Sequence, residues 1–477
     1  MMLKAAALSL ALAASRAAAP EWWTPDLQAT NDALLEKGLA DRIGYEMVED
    51  LTTRIGPRVA GSEQEKRARE WGVEYLKKLG FENVRVEPFD VRLWTRGEET
   101  VEIVSPFPQP IVATALGYSV ATPEGGVEGE IARFASLAAL EAAPMDGLEG
   151  KIVFVDEPMT RTMDGSGYGV AVRKRSGAAV EAGKRGALAA LIRSVGTQAH
   201  RMPHTGGMYY AADAEAVAIA AISPPDADQL SRIIDMGEGP VVVRVEIETT
   251  GGGRTSAEDT GGLPGSATPF KAPSGNVIGE IPGETDEIVV VGGHLDSWDL
   301  GTGAVDDGAG VGVTAAAAKL VGDLPGKPRR TIRVVLFGSE EVGLIGARAY
   351  AQTHSDELDK HAIGSESDFG AGPVWRLQTR WGETALSEVK PVLLAQLAKI
   401  GVLPGDNEAS GGPDMGPLRQ AGVPVASLSQ NGLDYFDLHH TPDDTFDKIN
   451  PDEFAQNVAA WASFIHIAAE APVDFRN

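Results

Sequence analysis

The chain has 477 residues, 68 of them Asp or Glu against 42 Lys or Arg, a formal charge of −26, and no cysteine. Its length allows two or three domains with ample core, and a content of 43% hydrophobic and 23% charged residues is ordinary for a globular protein. The acidic balance argues against nucleic acid or anionic membrane as partners, because both reward clustered Lys and Arg. Without cysteine there are no disulfides, thiolate nucleophiles or Cys-held zinc, so any transition metal must be held by His, Asp and Glu.

Residues 1–19, MMLKAAALSLALAASRAAA, read as a secretory signal: Lys4 supplies the positive charge, Ala5 to Ala14 a short apolar core, and Ala17-Ala18-Ala19 a small-residue cleavage zone. The apolar run is shorter than the ~20 residues that span a bilayer, and nothing downstream resembles a membrane span. Export to a periplasm or beyond is the expectation, with an Ala-rich cytoplasmic leader as the alternative.

Helical material follows. Ser62–Leu79 carries Trp71, Tyr75, Leu76 and Leu79 at helical spacing and ends before Gly80; Asn83–Val91 reads as a strand. From about Val120 the texture changes to short β runs such as Lys151–Val155, a small-residue helix over Ser176–Arg185 and an apolar run from Ala187 to Ile192. The Gly-rich stretch Gly251–Ser274 then returns the chain to the first domain. The expected layout is a main domain of residues 20–119 and 251–477 interrupted by an inserted domain of residues 120–250.

Beyond it strands alternate with helices. Glu287–Val291, Thr331–Phe337 and Val423–Leu428 read as strands. Helices are expected from about Asp307 to Leu320, from Glu341 to about Gln352, over Ala385–Ile400 and from Pro451 to about Ala469. In the last of these Phe454, Val458, Trp461 and Ile465 form an apolar stripe that reads as core. Such alternation predicts a mostly parallel sheet covered on both faces.

Chemistry gathers at the strand ends, where open α/β sheets place their ligands. Gly292-Gly293-His294-Leu295-Asp296-Ser297 follows the apolar run Glu287–Val291, and Asp306-Asp307 comes soon after. Glu340-Glu341 follows Thr331–Phe337, Asp368 lies in the run from Gly364 to Gly370, and His439-His440 opens HHTPDDT. Only eight histidines occur in the chain, and three of them fall in these motifs. Mixed imidazole and carboxylate donors suit zinc or another late first-row divalent ion. His294, Asp306, Glu341, Asp368 and His440 suffice for two ions if one carboxylate bridges. Asp296 is placed to orient the His294 ring, and one of the two adjacent glutamates can face the water to be activated. Each piece has a plain counterpart, such as a helix cap for Asp306-Asp307, a helix-dipole partner for Glu340-Glu341 or a satisfied loop histidine. Their joint occurrence in order at strand ends favours the metal reading.

The motifs GGHLDS, VDDGAG, GSEEVGLIGA, ESDFG and HHTPDDT, in this order and spacing, resemble the ligand segments of the M28 zinc peptidases. The run from Gly412 to Leu418 is similar to a further segment of that family, with Pro413 and Met415 as departures. The resemblance covers about Ala60–Phe89 weakly and Asn276–Ala469 strongly. Within the family, GHLDSWDLGTGAVDDGAG and Met202-Pro203-His204-Thr205-Gly206 look most like the plasma glutamate carboxypeptidase (carboxypeptidase Q) group, and the insertion is similar to a protease-associated domain.

The resemblance implies a three-layer αβα main domain with a smaller β-rich insertion, and two zinc ions. His294, Asp368, Glu341 and His440 would be terminal ligands and Asp306 the bridge. Glu340 would be the general base and Asp296 the orienting carboxylate. His439 and His204 are expected as substrate contacts. The implied activity is hydrolysis of dipeptides or short peptides near a free terminus. A glutaminyl-cyclase-like transferase and a binding or receptor-like protein of the same fold are the alternatives. A homodimer is compatible with the resemblance, though no residue pattern demonstrates it.

Overall fold

The computed structural model describes residues 19–253 and 271–477. The expected signal segment therefore lies outside the described residues, Ala19 excepted, as does most of the Gly-rich stretch after Gly251. Among the described residues no helix is long and apolar enough to cross a membrane.

Two mixed sheets of eight strands each organise the chain. In the first, Ile288–His294 lies at the centre, parallel to Thr331–Phe337 on one side and to His361–Glu366 on the other, and Val425–Gln430 continues the parallel set. The flanks are antiparallel: Glu82–Arg92 pairs with Lys271–Ile281, and Val374–Arg380 with Val425–Gln430. The sheet is thus mixed, parallel through its centre and again at the edge pair Val374–Arg380 with Leu403–Pro404, and antiparallel where the flanking strands join. The reason lies in the chain path: the backbone leaves the sheet after Arg92 and returns at Lys271, and a chain that goes out and comes back pairs with itself antiparallel.

Alternation along the central strand divides two layers of helix. Val289 and Val291 face the cluster built with helices Pro25–Leu39, Ile43–Arg54, Glu63–Lys78, Ala309–Gly322 and Pro451–Glu470. Ile288 and Val290 face the opposite cluster, with Ala347 and Tyr350 of helix Ile345–Thr353 and Leu418 of helix Gly416–Gln420. The stripe predicted in the final helix is core, and burial extends around its whole circumference. Small residues permit this: a Cβ on Gly38 would stand 2.4 Å from the Ala459 Cα, so the first and last helices cross nearly backbone to backbone.

The second sheet takes in Thr95–Ser105, Gln109–Ile111, Ala113–Ala115, Val127–Phe134, Lys151–Val155, Ala189–Arg193, Ala218–Ile222 and Val242–Thr250. Its first strands lie ahead of Val120, where the composition changes. Thr95–Ser105 pairs antiparallel with Val242–Thr250, so the chain enters and leaves this sheet through one two-stranded ribbon. The Gly125-Gly126 signal marks a loop inside the sheet and not its start.

Three local expectations are corrected. The helix expected from Glu341 starts at Ile345, because positive φ at Ser339 (61°) and Leu344 (58°) turns the chain first. The helix expected from Asp307 starts at Ala309, after a distorted turn in which Asp306 and Asp307 are non-helical. The helix expected over Ala385–Ile400 is broken into Glu383–Glu388 and Lys390–Leu397, with Pro391 in the first turn of the second; proline has no N–H for a continuous helix and its ring clashes with the preceding turn.

Two stability predictions follow from this packing. Trp461 is fully buried in the final helix, and Trp461→Ala should cost about 3–5 kcal/mol in chemical denaturation; a loss under 1 kcal/mol would contradict this core. Glu65, beneath the cap formed by Ser62, is turned inward against Arg69 and Ser274. Burial pushes its carboxyl up to about 7, although Arg69 draws it down. The folded state therefore takes this proton more readily than the unfolded one, so the Glu65 contribution is fully present below the ordinary carboxylate value and is lost as pH rises through about 7. Glu65→Gln should flatten that part of the stability–pH curve, and an unaltered slope would contradict it.

Candidate metal centre

All five expected ligands meet at the C-terminal ends of the parallel strands. His294 ends the central strand, Glu341 follows Thr331–Phe337, and Asp368 follows His361–Glu366. Asp306 and His440 come in on loops. His294 Nε2 lies 3.0 Å from Asp306 Oδ1 and 3.6 Å from Asp368 Oδ1, while His440 Nε2 lies 3.2 Å from Asp306 Oδ2 and 2.9 Å from Glu341 Oε2. The two oxygens of Asp306 thus serve different histidines. Donor atoms of His294, Asp306 and Asp368 lie within 4.8 Å of one another, as do those of Asp306, His439 and His440.

Surrounding groups hold this carboxylate in place. Asp444 accepts from the backbone N–H of Val305 (2.6 Å) and Asp306 (3.3 Å), and Asp307 accepts from those of His294 and Gly310 (both 3.0 Å). Arg58, fully buried, donates to the carbonyls of Leu295 (2.7 Å), Thr302 (2.6 Å) and Gly303 (2.8 Å), which pins the loop between His294 and Asp306. Asp296 has a double role. Its backbone carbonyl lies 3.0 Å from His294 Nδ1 and its carboxylate 3.7 Å away, and Oδ1 accepts the Glu340 N–H at 3.0 Å. It therefore orients both the histidine and the glutamate.

The donor set fits divalent cations. Glu341 Oε1, Asp296 Oδ2 and His439 Nδ1 are buried with no hydrogen-bond partner, which is costly unless something else satisfies them. Burial pushes the Glu340 carboxyl well up, and the nearby Asp368 and Glu341 charges add to this against the pull of His294. Burial opposes charge on His440, but Glu341 and Asp306 outweigh it and raise that imidazole to about 9. The field at these nitrogens favours positive charge, and metal ions and protons compete for the same lone pairs.

His439 stacks on His440, with ring centroids 3.5 Å apart, and its Nε2 is 3.6 Å from Asp306 Oδ2. With Glu340, Glu341, Asp306, Asp368 and His440 it lines a cavity of about 490 Å³, to which Tyr168, Arg175 and Tyr209 of the second-sheet unit also contribute. His204 is not in that wall. It is fully buried, its Nδ1 lies 2.6 Å from the His439 carbonyl, and burial pushes its imidazole down to about 3. The next residue, Thr205, donates its N–H to the His440 carbonyl (3.0 Å) and sets its own carbonyl 3.2 Å from His440 Nδ1. MPHTG thus clamps the two-histidine loop and supports His440 at a φ of 61°, in the left-handed region.

Sequence reasoning passed over Arg58, Asp444, Arg175 and the pair Glu366 and Asp414. Glu366 Oε2 accepts the Asp414 N–H at 2.7 Å, and burial raises both carboxyls well above the ordinary range. Asp444, Glu366 and Asp414 stood inside quoted motifs, so that signal existed; Arg58 and Arg175 had none.

Residues 276–465 match the model of peptidase family M28. The chain is 34% identical over 442 residues to carboxypeptidase Q of Bos taurus, covering 91% of this chain and 86% of that one. A crystal structure of a peptidase M28 precursor from Shewanella amazonensis SB2B is 47% identical, with a TM-score of 0.89 over 95% of this chain and 98% of that one. A zinc aminopeptidase from Bacillus subtilis, 20% identical with a TM-score of 0.63 over 91% of this chain and 98% of that one, shares the fold. The chain belongs to peptidase family M28 and is a metallopeptidase with carboxypeptidase Q among its relatives.

Proposed function

We propose that the protein is a two-zinc exopeptidase acting on dipeptides and short peptides. The observation that carries this reading is the Asp306 carboxylate, shared between His294 with Asp368 on one side and His440 with Glu341 on the other. Each grouping has the His and carboxylate donors that zinc takes, and relatives named as zinc aminopeptidases support the choice of metal. His294, Asp368, Glu341 and His440 would be the terminal ligands and Asp306 the bridge.

Bound there, two divalent ions would polarise the scissile carbonyl and acidify a water. Glu340 lines the cavity and its amide is pinned by Asp296. Its raised carboxyl suits a group that first accepts a proton from the attacking water and then delivers it to the leaving amine. The C–N bond breaks, leaving one carboxylate and one amine. His439 lines the same cavity beside the Asp306 carboxylate, which supports reading it as a substrate contact at the ligand loop. His204 acts on that contact through the backbone. The second-sheet unit, which we read as a protease-associated domain, closes one wall of the cavity and so would favour short substrates.

Two measurements test this. Metal analysis of the zinc-loaded protein should give two ions per chain and no activity after chelation, and Asp306→Asn should lose both; a single ion retained with full activity would refute the bridge. Glu340→Gln should lower kcat by roughly 10²–10⁴-fold while the metal content stays at two. A Glu340→Gln protein within threefold of wild type would rule out the proton-transfer role.

A further inference from the structure

A second cavity, of about 270 Å³, adjoins the metal centre and has no part in this mechanism. It shares Asp368, Phe369 and Pro413 with the catalytic cavity. Its floor comes from two paired strands. Val374–Arg380 and Val425–Gln430 run antiparallel with Arg376 opposite Ser429 and Gln378 opposite Ser427, so the pleat puts these four side chains on one face. Leu377 and Leu428 point the other way, into the core beneath the long helices. On the first face Val425 packs with Met415 and Leu418, and further along the same strand that face turns from apolar to polar. The polar stretch lines the cavity, together with Ser410 and Gly412 of the loop above it.

Two groups in this cavity are left without partners. Arg376 is half-buried and lies over the Trp375 ring, its guanidinium carbon 4.5 Å from the centroid. Its Nε is buried with no hydrogen-bond partner, and no carboxylate among the described residues forms an ion pair with it. Glu366 is 5% exposed; its Oε2 accepts the Asp414 N–H at 2.7 Å, and its Oε1 is buried with no partner. Gly412, at a φ of 107°, lets the loop lie against this carboxylate, since a Cβ there would stand 2.6 Å from Oε2. The remaining polar groups are engaged with one another. Gln378 donates to Asp406 at 2.9 Å and accepts from Ser429 at 3.2 Å, and Ser427 accepts the Gly411 N–H at 3.0 Å. A guanidinium only donates, and the free Glu366 oxygen is left to accept. A ligand that satisfies both needs an acceptor and a donor on one small group. An apolar side chain would leave both stranded, which is how a polar site rejects it. A carboxylate side chain would answer Arg376 but bring no N–H to Glu366.

We propose that this cavity is a side-chain subsite for glutamine or asparagine, whose carboxamide oxygen accepts from Arg376 and whose NH2 donates to Glu366 Oε1. The side chain belongs to the substrate residue seated on the Asp368 side of the scissile bond, because Asp368 and Phe369 are where the two cavities meet. Arg376 is thus a specificity-determining residue, and the inference rests on the peptidase reading above.

The test uses the zinc-loaded full chain and dipeptides in which each position in turn carries Gln, Met, Glu, Asn or Leu against a fixed alanine. It reads kcat/KM, and separately the equilibrium binding of the corresponding non-cleavable reduced-amide analogues. At one position only, wild type should favour Gln over Met, or Asn over Leu, by about 10-fold in both readouts, the scale of a hydrogen bond to a charged group. Glu should fall below Gln by several-fold. Arg376→Met should bring the carboxamide ratio to within about threefold of unity, and Arg376→Lys should fall between, because an ammonium keeps the charge and loses the planar fork. If Arg376→Met does not fold, the Arg376→Lys ratio decides. A carboxamide preference at neither position or at both, Glu ahead of Gln, or a ratio unmoved by the Arg376 variants overturns the proposal. Selective binding of the carboxamide analogue with no hydrolysis of any dipeptide would uphold the subsite and remove the peptidase reading.

Discussion

A carboxylate buried between two imidazoles organises this molecule. Asp306 faces His294 with one oxygen and His440 with the other, and those histidines hold its carboxyl well below the usual range although burial works the other way. Around it Asp307, Glu340, Glu341 and Asp368 crowd a small volume. So many acids are tolerable out of water only with nearby positive charge and oriented N–H groups. The backbone N–H groups that Asp444 and Asp307 accept, and the four carbonyls that Arg58 gathers from loops on both sides, fix the loops around this cluster.

The two sheets divide the labour. The first brings strand ends together, so that residues far apart in the chain arrive on one edge with their directions set by the pleat. The second makes no ligand. Its loop from Ser194 to Met208 grips the His439-His440 loop through His204 and Thr205 and the preceding helix through Thr197, which donates to the Phe436 carbonyl, and its helices put Tyr168 and Arg175 across the cavity. Loss of the second unit would therefore alter His440 as well as the cavity wall, so a unit that supplies none of the expected ligands still shapes the candidate metal centre.

The parts legible from sequence were those carried by local signals. Apolar β-branched runs marked Ile288–His294 and Thr331–Phe337 to within a residue or a few, because a short run rich in Val and Ile and buried on both faces favours a central parallel strand. The Ser62 cap and Gly80 bounded the helix Glu63–Lys78. Errors came where a helical composition hid a conformational constraint: Pro391 inside an otherwise helical window, and the turn from Ser339 to Leu344, whose positive φ at non-glycine residues no propensity scale anticipates. The start of the second sheet was also missed, since a ribbon strand such as Thr95–Ser105, with charged residues on its exposed side, looks like any surface segment.

Sequence by itself determined the donor inventory. With no cysteine and few histidines, the motifs that combine His with Asp and Glu named the metal-type residues, and their order named the family. Tertiary structure alone decided what each donor touches. Asp306 lies between His294 and His440 because two loops meet over a strand end, Asp296 holds Glu340 as well as His294, and His204 props a carbonyl instead of meeting the cavity. Arg58 and Arg175 carried no motif at all. Their roles come from burial beside partners more than two hundred residues away in the chain, and a contact of that range leaves no periodicity or spacing in the sequence from which to read it.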